Sequence, residues 1–92
     1  MNQWIVYLLE CSDHTYYTGI TTDLERRLSE HNGSSRGARY TRARQPVTLV
    51  YSEQQQDRSA ASAREYQIRK LSRAAKQALI ASCLPVSTVT QV

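Results

Sequence analysis

Two strands are indicated by the hydrophobic pattern near the N-terminus. Residues 4–9 form a nearly continuous apolar run, rich in β-branched and aromatic side chains, and this run predicts a buried strand. Residues 16–21 predict a second strand, and the polar residues 12–14 between them have turn chemistry, so we expect a hairpin. Gly19 lies inside the second strand, where a glycine usually marks a bulge or the close approach of another group.

A helix is predicted directly after this hairpin. Thr22 and Glu25 fit a capping box, with Thr22 as the cap and Glu25 reaching back to it. The helix is expected to continue to about Asn32, and Gly33 can end it. Residues 33–46 are predicted to form a loop that is rich in arginine.

The second half of the chain predicts one more strand and two helices. The strand is expected over residues 47–51, and a polar turn over residues 54–57 leads into a helix from Arg58 to about Leu71. A last helix is expected over residues 73–82. The resulting order is strand, strand, helix, strand, helix, helix, which is typical of the α+β class.

The length of the chain allows one compact domain. The chain has 92 residues, and domains usually contain about 100–150, so we expect a single domain over residues 1–83. Residues 84–92 show no amphipathic pattern and are predicted to be a flexible tail. A chain of this size buries only about 60–65 % of its unfolded surface. We therefore expect an open binding face, which suits a polymer better than a small metabolite.

Positive charge is concentrated in the predicted loop. The chain carries 12 Lys and Arg against 8 Asp and Glu, which gives a net charge of +4. Arg36, Arg39, Arg42 and Arg44 occur between residues 31 and 46 without any acidic residue. The planar guanidinium group matches the geometry of phosphate, so this run is a candidate surface for nucleic acid. The alternative is a solvated basic loop without a ligand.

Cysteine content and apolar runs favour the cytoplasm. Cys11 and Cys83 are far apart and lack metal-binding spacing, so they predict neither a disulfide framework nor a zinc site. The N-terminus does not have the pattern of a signal peptide. No run approaches the roughly 20 apolar residues that span a bilayer, and we expect no association with a membrane.

Glu65 occupies an unexpected position in the second predicted helix. It falls on the apolar stripe that Ile68 and Leu71 continue, so its carboxylate is expected to face inward. A buried carboxylate is costly unless it is paired, hydrogen-bonded or bound to a metal. One interpretation is a ligand of Mg²⁺, which often uses one or two carboxylates and water. The other is a Glu at the edge of the stripe, paired with an arginine such as Arg64 or Arg69.

Arg27 and His31 form a second candidate pair, because they are four residues apart on the first predicted helix. Together they could clamp and protonate a phosphate, or they could lie on a partly exposed helix edge.

The chain has six tyrosines and no phenylalanine. Tyrosine at Tyr7, Tyr17 and Tyr40 hints that hydroxyl groups are needed, although compositional chance explains this nearly as well.

These residues, taken in order, resemble the signature of the GIY-YIG nuclease superfamily. The first motif is similar to residues 5–7, the second to residues 17–19, and Arg27, His31 and Glu65 follow at matching positions. Ile5 stands where the name-giving glycine would be, and Thr18 replaces an isoleucine.

Further segments resemble one branch of that superfamily. The whole resemblance covers roughly residues 4–82. Residues 31–33, 37–41 and 44–46 look like the small bacterial YhbQ-like proteins, which are related to the nuclease domain of the eukaryotic Slx1 enzymes. The resemblance implies a small, three-stranded, mostly antiparallel sheet that is flanked by three helices.

The resemblance also implies an activity, which is metal-dependent endonuclease cleavage of nucleic acid, and it suggests a role in DNA repair or nucleic-acid processing. By analogy, Tyr7 is the general base and Arg27 stabilises charge on the phosphate. Glu65 holds Mg²⁺ or Mn²⁺, and Tyr17 and His31 position the phosphate or relay protons.

The remaining expectations concern binding. Gly19 would let the backbone approach closely, and the nucleic-acid contacts would come from Arg36, Arg39, Tyr40, Arg42 and Arg44. The expected partner is nucleic acid, DNA more than RNA, with a possible protein partner that supplies specificity. The alternative is a nucleic-acid-binding or partner-activated adaptor module with little catalysis of its own.

Overall fold

The computed structural model describes residues 3–33 and 38–89, with side chains described as far as Ser82. Arg36 and the last three residues of the predicted tail lie outside the described residues. The elements are β1 (Trp4–Glu10), β2 (Tyr16–Thr21), α1 (Leu24–Gly33), α2 (Arg39–Arg42), β3 (Thr48–Gln55), α3 (Arg58–Arg69) and α4 (Arg73–Val89).

The three strands form one sheet in the order β2-β1-β3, and both pairings are antiparallel. The predicted α+β fold is therefore confirmed, with the short helix α2 as an addition inside the predicted loop. β1 is the central strand, so its residues have neighbours on both sides. Tyr7, for example, lies opposite Gly19 of β2 and Ser52 of β3.

Each face of the sheet is covered by different helices. Side chains alternate along a strand, so Val6 and Leu8 point to one face and Tyr7 and Leu9 to the other. Val6 and Leu8 pack with residues of α3 and α4, and we call this side the α3 face. Tyr7 and Leu9 pack with the Leu24 stripe of α1, and we call this side the α1 face. Two small cores thus share the central strand.

The start of α1 differs from the prediction. The predicted cap Thr22 is wrong, because the helix begins at Leu24 and Asp23 caps it. Asp23 Oδ1 accepts a hydrogen bond from the Arg26 backbone N–H at 3.1 Å. The Thr21 hydroxyl accepts from the Asp23 backbone N–H at 3.1 Å, which fixes Asp23 at the cap. A carboxylate at this position is also favoured by the helix dipole.

Three further boundaries differ from the expected ones. β3 continues to Gln55, into the expected polar turn over residues 54–57, because Trp4–Tyr7 of β1 supply backbone partners for these polar residues. α4 continues to Val89, beyond the expected end near Ser82. Leu71 is exposed in the turn between α3 and α4 and does not extend the inward stripe. Within residues 3–33 and 38–89, no helix is both long and apolar enough to cross a bilayer.

Candidate active site

A tyrosine and a histidine meet on the α1 face of the sheet. Tyr7 lies in the middle of β1, and His31 lies in the last turn of α1, on the helix side that Leu24 and Leu28 also occupy. The Tyr7 hydroxyl is 2.8 Å from His31 Nε2. Tyr7 is 1 % exposed and His31 is 0 % exposed, so this hydrogen bond is shielded from water. The alternative that placed His31 on a partly exposed helix edge is therefore wrong.

The direction of this hydrogen bond follows from Thr41 in α2. His31 Nδ1 is 2.7 Å from Thr41 Oγ1, and that hydroxyl donates to the Ala38 carbonyl at 2.9 Å. A threonine hydroxyl has a single hydrogen, so Thr41 must accept from His31, and Nδ1 carries the imidazole proton. Nε2 of a neutral imidazole is then an acceptor. The Tyr7 hydroxyl therefore donates to His31.

Burial keeps both partners in their neutral forms. It raises the pKa of Tyr7 to about 12, although the Arg27 guanidinium beside the hydroxyl offsets part of the increase. Burial, followed by the charge of Arg27, lowers the pKa of His31 to about 4. At neutral pH the pair is a phenol bonded to a neutral imidazole, and the proton stays on Tyr7.

Gly19 makes room for the end of the Tyr7 ring. The two residues are partners across the β1–β2 ladder, on the α1 face. A Cβ atom at Gly19 would lie 2.5 Å from Tyr7 Cζ, a separation that real Cβ atoms essentially never show. The close approach expected at this glycine is thus made by Tyr7. Without a side chain at Gly19, the phenol can reach His31.

Arg27 brings a positive charge to the same pair. Its Nη1 donates to Glu30 Oε1 at 2.9 Å along α1, and both side chains are only partly exposed. Glu30 thereby orients the guanidinium beside the Tyr7 hydroxyl, where it also acts on the pKa of His31. The helix spacing predicted Arg27 and His31 on one face, and the structure shows that both side chains contact the Tyr7 hydroxyl.

Aromatic rings lie between this pair and solvent. The Tyr17 ring centroid is 6.4 Å from that of Tyr7 and 5.2 Å from that of His31. Tyr40 stacks on the outer side of Tyr17, with centroids 6.1 Å apart and planes inclined by 25°. The Arg44 guanidinium lies over the Tyr40 ring, 3.8 Å from its centroid. The stack therefore runs from the buried pair to the surface.

The arginines of the predicted loop have different environments. Arg44 Nε donates to Asp13 Oδ2 at 3.0 Å, and its Nη1 donates to the Tyr40 carbonyl at 3.0 Å. These contacts make Arg44 a brace that fixes the Tyr40 ring. Arg39 and Arg42 are exposed on α2 and remain candidates for phosphate contacts.

Glu65 lies at the edge of this site. Its Oε2 accepts a hydrogen bond from Arg69 Nε at 2.9 Å, and its side chain is 20 % exposed. The pairing with Arg69 agrees with the second of the two interpretations of this carboxylate. Arg69 lines a surface cavity together with Tyr17, so Glu65 is one hydrogen bond away from a residue that faces that cavity.

Whether a metal ion could bind at Glu65 depends on the number of metal-ligating side chains nearby. Within the part of the chain that the structure describes, no group of three or more His, Cys, Asp or Glu residues could hold a metal ion. Mg²⁺ is often bound by only one or two carboxylates together with water and substrate phosphates. Glu65 thus fits an ion that is shared with a phosphate, whereas a resident ion in an all-protein cage does not fit.

The cavity lies at the outer edge of β2 and has a volume of about 280 Å³. Its walls come from three parts of the chain, which are β2, α2 and the helices of the α3 face. The lining residues are Tyr16, Tyr17, Thr18, Tyr40, Arg69 and Lys76. Since β2 contributes side chains from both faces of the sheet, the cavity connects the Tyr17–Tyr40 stack with the α3–α4 side.

The family of the chain is shown by a domain model. The model described as the GIY-YIG catalytic domain matches residues 3–78, which include every residue of the site above. This chain belongs to the GIY-YIG family. That family is a nuclease superfamily, so the resemblance drawn from the two strand motifs is confirmed.

Relatives and solved structures agree with this membership. A UPF0213 protein of Desulfotalea psychrophila is 57 % identical over 77 residues, covering 84 % of this chain and 70 % of that protein. A UPF0213 protein of Halobacterium salinarum is 58 % identical over 74 residues, covering 80 % and 95 %. The solution NMR structure of a UPF0213 protein from Bacillus halodurans is 42 % identical, with a TM-score of 0.56 and coverage of 90 % and 86 %.

The GIY-YIG motifs account for only part of the site. The structure brings Tyr7, Tyr17, Arg27 and His31 together on the α1 face, and it leaves Glu65 at the rim. Thr41 was missed as a site residue, because its hydroxyl gains a role only when α2 places it beside an imidazole from another helix. Lys76, Arg69 and Glu30 were also missed. The basic spacing of residues 69–76 was the available signal for the first two.

Proposed function

We propose that this protein is a metal-dependent endonuclease that hydrolyses phosphodiester bonds in nucleic acid, DNA more than RNA. The observation that carries the proposal is the series of hydrogen bonds from Tyr7 through His31 to Thr41, with Arg27 beside it. The GIY-YIG membership supplies the reaction class. The cellular role that we propose for this activity is DNA repair or nucleic-acid processing.

The direction of these hydrogen bonds supports general base catalysis by Tyr7. A phenol with a pKa of about 12 keeps its proton at neutral pH, so it can accept a proton from water only if its own proton has a destination. His31 Nε2 provides that destination, because Thr41 holds the opposite nitrogen in its protonated form. In this scheme a water molecule attacks phosphorus and gives its proton to the Tyr7 oxygen. The Tyr7 proton passes to His31, the bond from phosphorus to the leaving oxygen breaks, and the leaving oxygen takes up a proton from solvent.

Charge on the phosphate is stabilised by Arg27. The pentacovalent transition state carries more negative charge than the diester, and a fixed cation close to it lowers the barrier. Arg27 is held by Glu30 beside the Tyr7 hydroxyl, so it lies next to the point of attack. A divalent cation shared by Glu65 and the substrate phosphate would add positive charge and lower the pKa of the attacking water.

A second candidate function is a nucleic-acid-binding module that requires a partner for activity. The observation that favours it is the 1 % exposure of Tyr7. A base this deeply buried reaches a phosphate only after the side chains that cover its hydroxyl shift. A partner or a bound substrate could supply the free energy for that shift.

The proposal is tested by incubating the protein with labelled single-stranded, duplex and branched DNA and with RNA. Each reaction is run with Mg²⁺, with Mn²⁺ and with chelator. We expect cleavage that requires the ion and is lost by at least roughly 100-fold in Glu65→Gln, because metal charge stabilisation is worth several kcal/mol. Glu25→Gln is the matched control, since Glu25 is exposed in the first turn of α1.

The stability of the Glu65→Gln variant should be nearly unchanged, because a partly exposed ion pair contributes little. Cleavage by Glu65→Gln at the rate of the unmodified protein would remove the metal assignment. Binding without cleavage of every substrate would favour the partner-activated function instead.

A further inference from the structure

We propose that the cavity at the outer edge of β2 binds one unpaired nucleotide of the substrate. In this arrangement the base lies against the Tyr17–Tyr40 stack, and the phosphate contacts Arg69 and Lys76. The inference rests on the proposed function, because it specifies which nucleic acids the same site accepts. It restricts them to strands that can release a base from its stack.

The size and the walls of the cavity fit a single base. Its volume of about 280 Å³ is just below that of ligand pockets, which hold drug-sized molecules in roughly 300–1,000 Å³. Three of its lining residues are tyrosines, and flat aromatic walls are the usual receptors for unpaired bases. A base pair is much wider than one base and would not enter.

The aromatic wall is held in place before any ligand arrives. Tyr40 is 36 % exposed, and the part of its side chain that neither Arg44 nor Tyr17 covers lines the cavity. Arg44 covers one side of that ring at 3.8 Å and is itself fixed by Asp13. Tyr17 supports Tyr40 from the interior. A fixed ring loses little side-chain entropy when a base packs against it, which favours binding.

The opposite wall carries positive charge from two helices. Arg69 comes from the end of α3, and Lys76 comes from the first turns of α4. Arg73 fixes the junction between these helices, because its Nη1 donates to the His14 carbonyl at 2.6 Å and its guanidinium lies 5.0 Å from the centroid of the Tyr16 ring. The cavity therefore combines stacking rings with cations, the two features that single-stranded nucleic acid requires.

Binding can be measured independently of cleavage by working in chelator. Fluorescence anisotropy would compare one single-stranded DNA oligonucleotide with its duplex, and a single 2-aminopurine in the strand would report stacking by a loss of fluorescence. We expect Tyr40→Leu to weaken binding of the single strand by roughly tenfold, because an aromatic wall of the cavity is lost, and to abolish the fluorescence change. Duplex affinity should be unchanged, and Tyr40→Phe should behave like the unmodified protein.

A second variant tests the cationic wall without touching Arg44. Lys76→Gln should weaken binding of the single strand several-fold more than Arg58→Gln does. The control removes the same charge from the far end of α3, about 16 Å from Arg69 along the helix axis. Equal effects of the two variants, or equal loss of single-strand and duplex binding in Tyr40→Leu, would overturn the proposal.

The two proposals fail in different ways. Absence of cleavage on every substrate contradicts the nuclease and leaves the fluorescence change intact. Absence of any fluorescence change, together with normal affinity of Tyr40→Leu for the single strand, contradicts the nucleotide site and leaves cleavage intact.

Discussion

Three separate parts of the chain determine the position of the Tyr7 hydroxyl. Gly19 of β2 leaves the space, His31 of α1 accepts the hydrogen bond, and Thr41 of α2 fixes the imidazole tautomer. At the scale of single residues, each of these contacts has one chemical function. The geometry of the pair is therefore sensitive to the addition or removal of very few atoms.

Gly19→Ala is expected to disable the site while the sheet persists. The new methyl group would collide with the Tyr7 ring end, so the hydroxyl must move away from His31. We expect a loss of cleavage of at least roughly 100-fold, which is the usual contribution of a general base. The measurement is the single-turnover cleavage rate, with circular dichroism to follow the fold.

The matched control for this change is Gly33→Ala. A Cβ atom at Gly33 meets nothing within 4 Å, so this variant should cleave normally. If Gly19→Ala also cleaves normally, the space at Gly19 has no part in positioning Tyr7.

The buried imidazole predicts a particular pH dependence of stability. Burial and the charge of Arg27 lower the pKa of His31 to about 4, whereas an unfolded histidine titrates near 6.5. Below that value the unfolded chain binds a proton that the folded protein excludes. The free energy of unfolding is therefore expected to fall as the pH decreases from about 6.5 to about 4, by at most about 3 kcal/mol from this residue.

Urea denaturation across this pH range would measure the effect, with His31→Gln as the comparison. The variant lacks the titrating group, so its stability should depend less on pH than that of the unmodified protein. Parallel curves for the two proteins would show that His31 is not buried in its neutral form.

At the scale of elements, the fold followed from local patterns. The apolar run of β1, the hairpin and the helices of the α3 face are each encoded by residues that are close in sequence. The polar end of β3 was missed, because glutamines in an edge strand resemble a turn unless the partner strand is known. Thr22 was predicted as the cap because its spacing to Glu25 fits a capping box, whereas the contacts of Asp23 with Arg26 and Thr21 identify Asp23 as the cap.

The site was harder to predict than the fold. Arg27 and His31 are neighbours on one helix, so their spacing revealed them. The contact between Tyr7 and His31 joins residues that are 24 positions apart, and it depends on how α1 docks on the sheet. The pattern of residues 69–76 is basic, but the turn between α3 and α4 interrupts the helical spacing. Lys76 could therefore not be placed at the cavity before the structure.

The capping of α1 gives a prediction at this scale. Asp23→Ala should lower the free energy of unfolding by about 1 kcal/mol, because the Arg26 N–H loses its acceptor. Thr22→Ala should change it by less than about 0.5 kcal/mol, as is usual away from caps and cores. Thermal or urea denaturation would measure both variants. A larger loss for Thr22→Ala than for Asp23→Ala would restore Thr22 as the cap.

At the scale of the whole molecule, the sheet separates two tasks. The α3 face holds an apolar core that packs against two helices, whereas the α1 face places polar, titratable groups among apolar ones. The outer edge of β2 lies between the two faces, and the cavity there is lined from both. A small domain can thus use one side of its central strand for stability and the other for chemistry.

The central claim is that Tyr7 acts as the base, and single-turnover cleavage by Tyr7→Phe tests it most directly. The variant retains the ring beside Gly19 and loses the hydroxyl that contacts His31. Tyr66→Phe is the control, because Tyr66 is exposed on α3 and loses the same atom. We expect Tyr7→Phe to cleave at least roughly 100-fold more slowly with unchanged substrate affinity, and Tyr66→Phe to cleave normally. Equal rates for Tyr7→Phe and the unmodified protein would contradict the account.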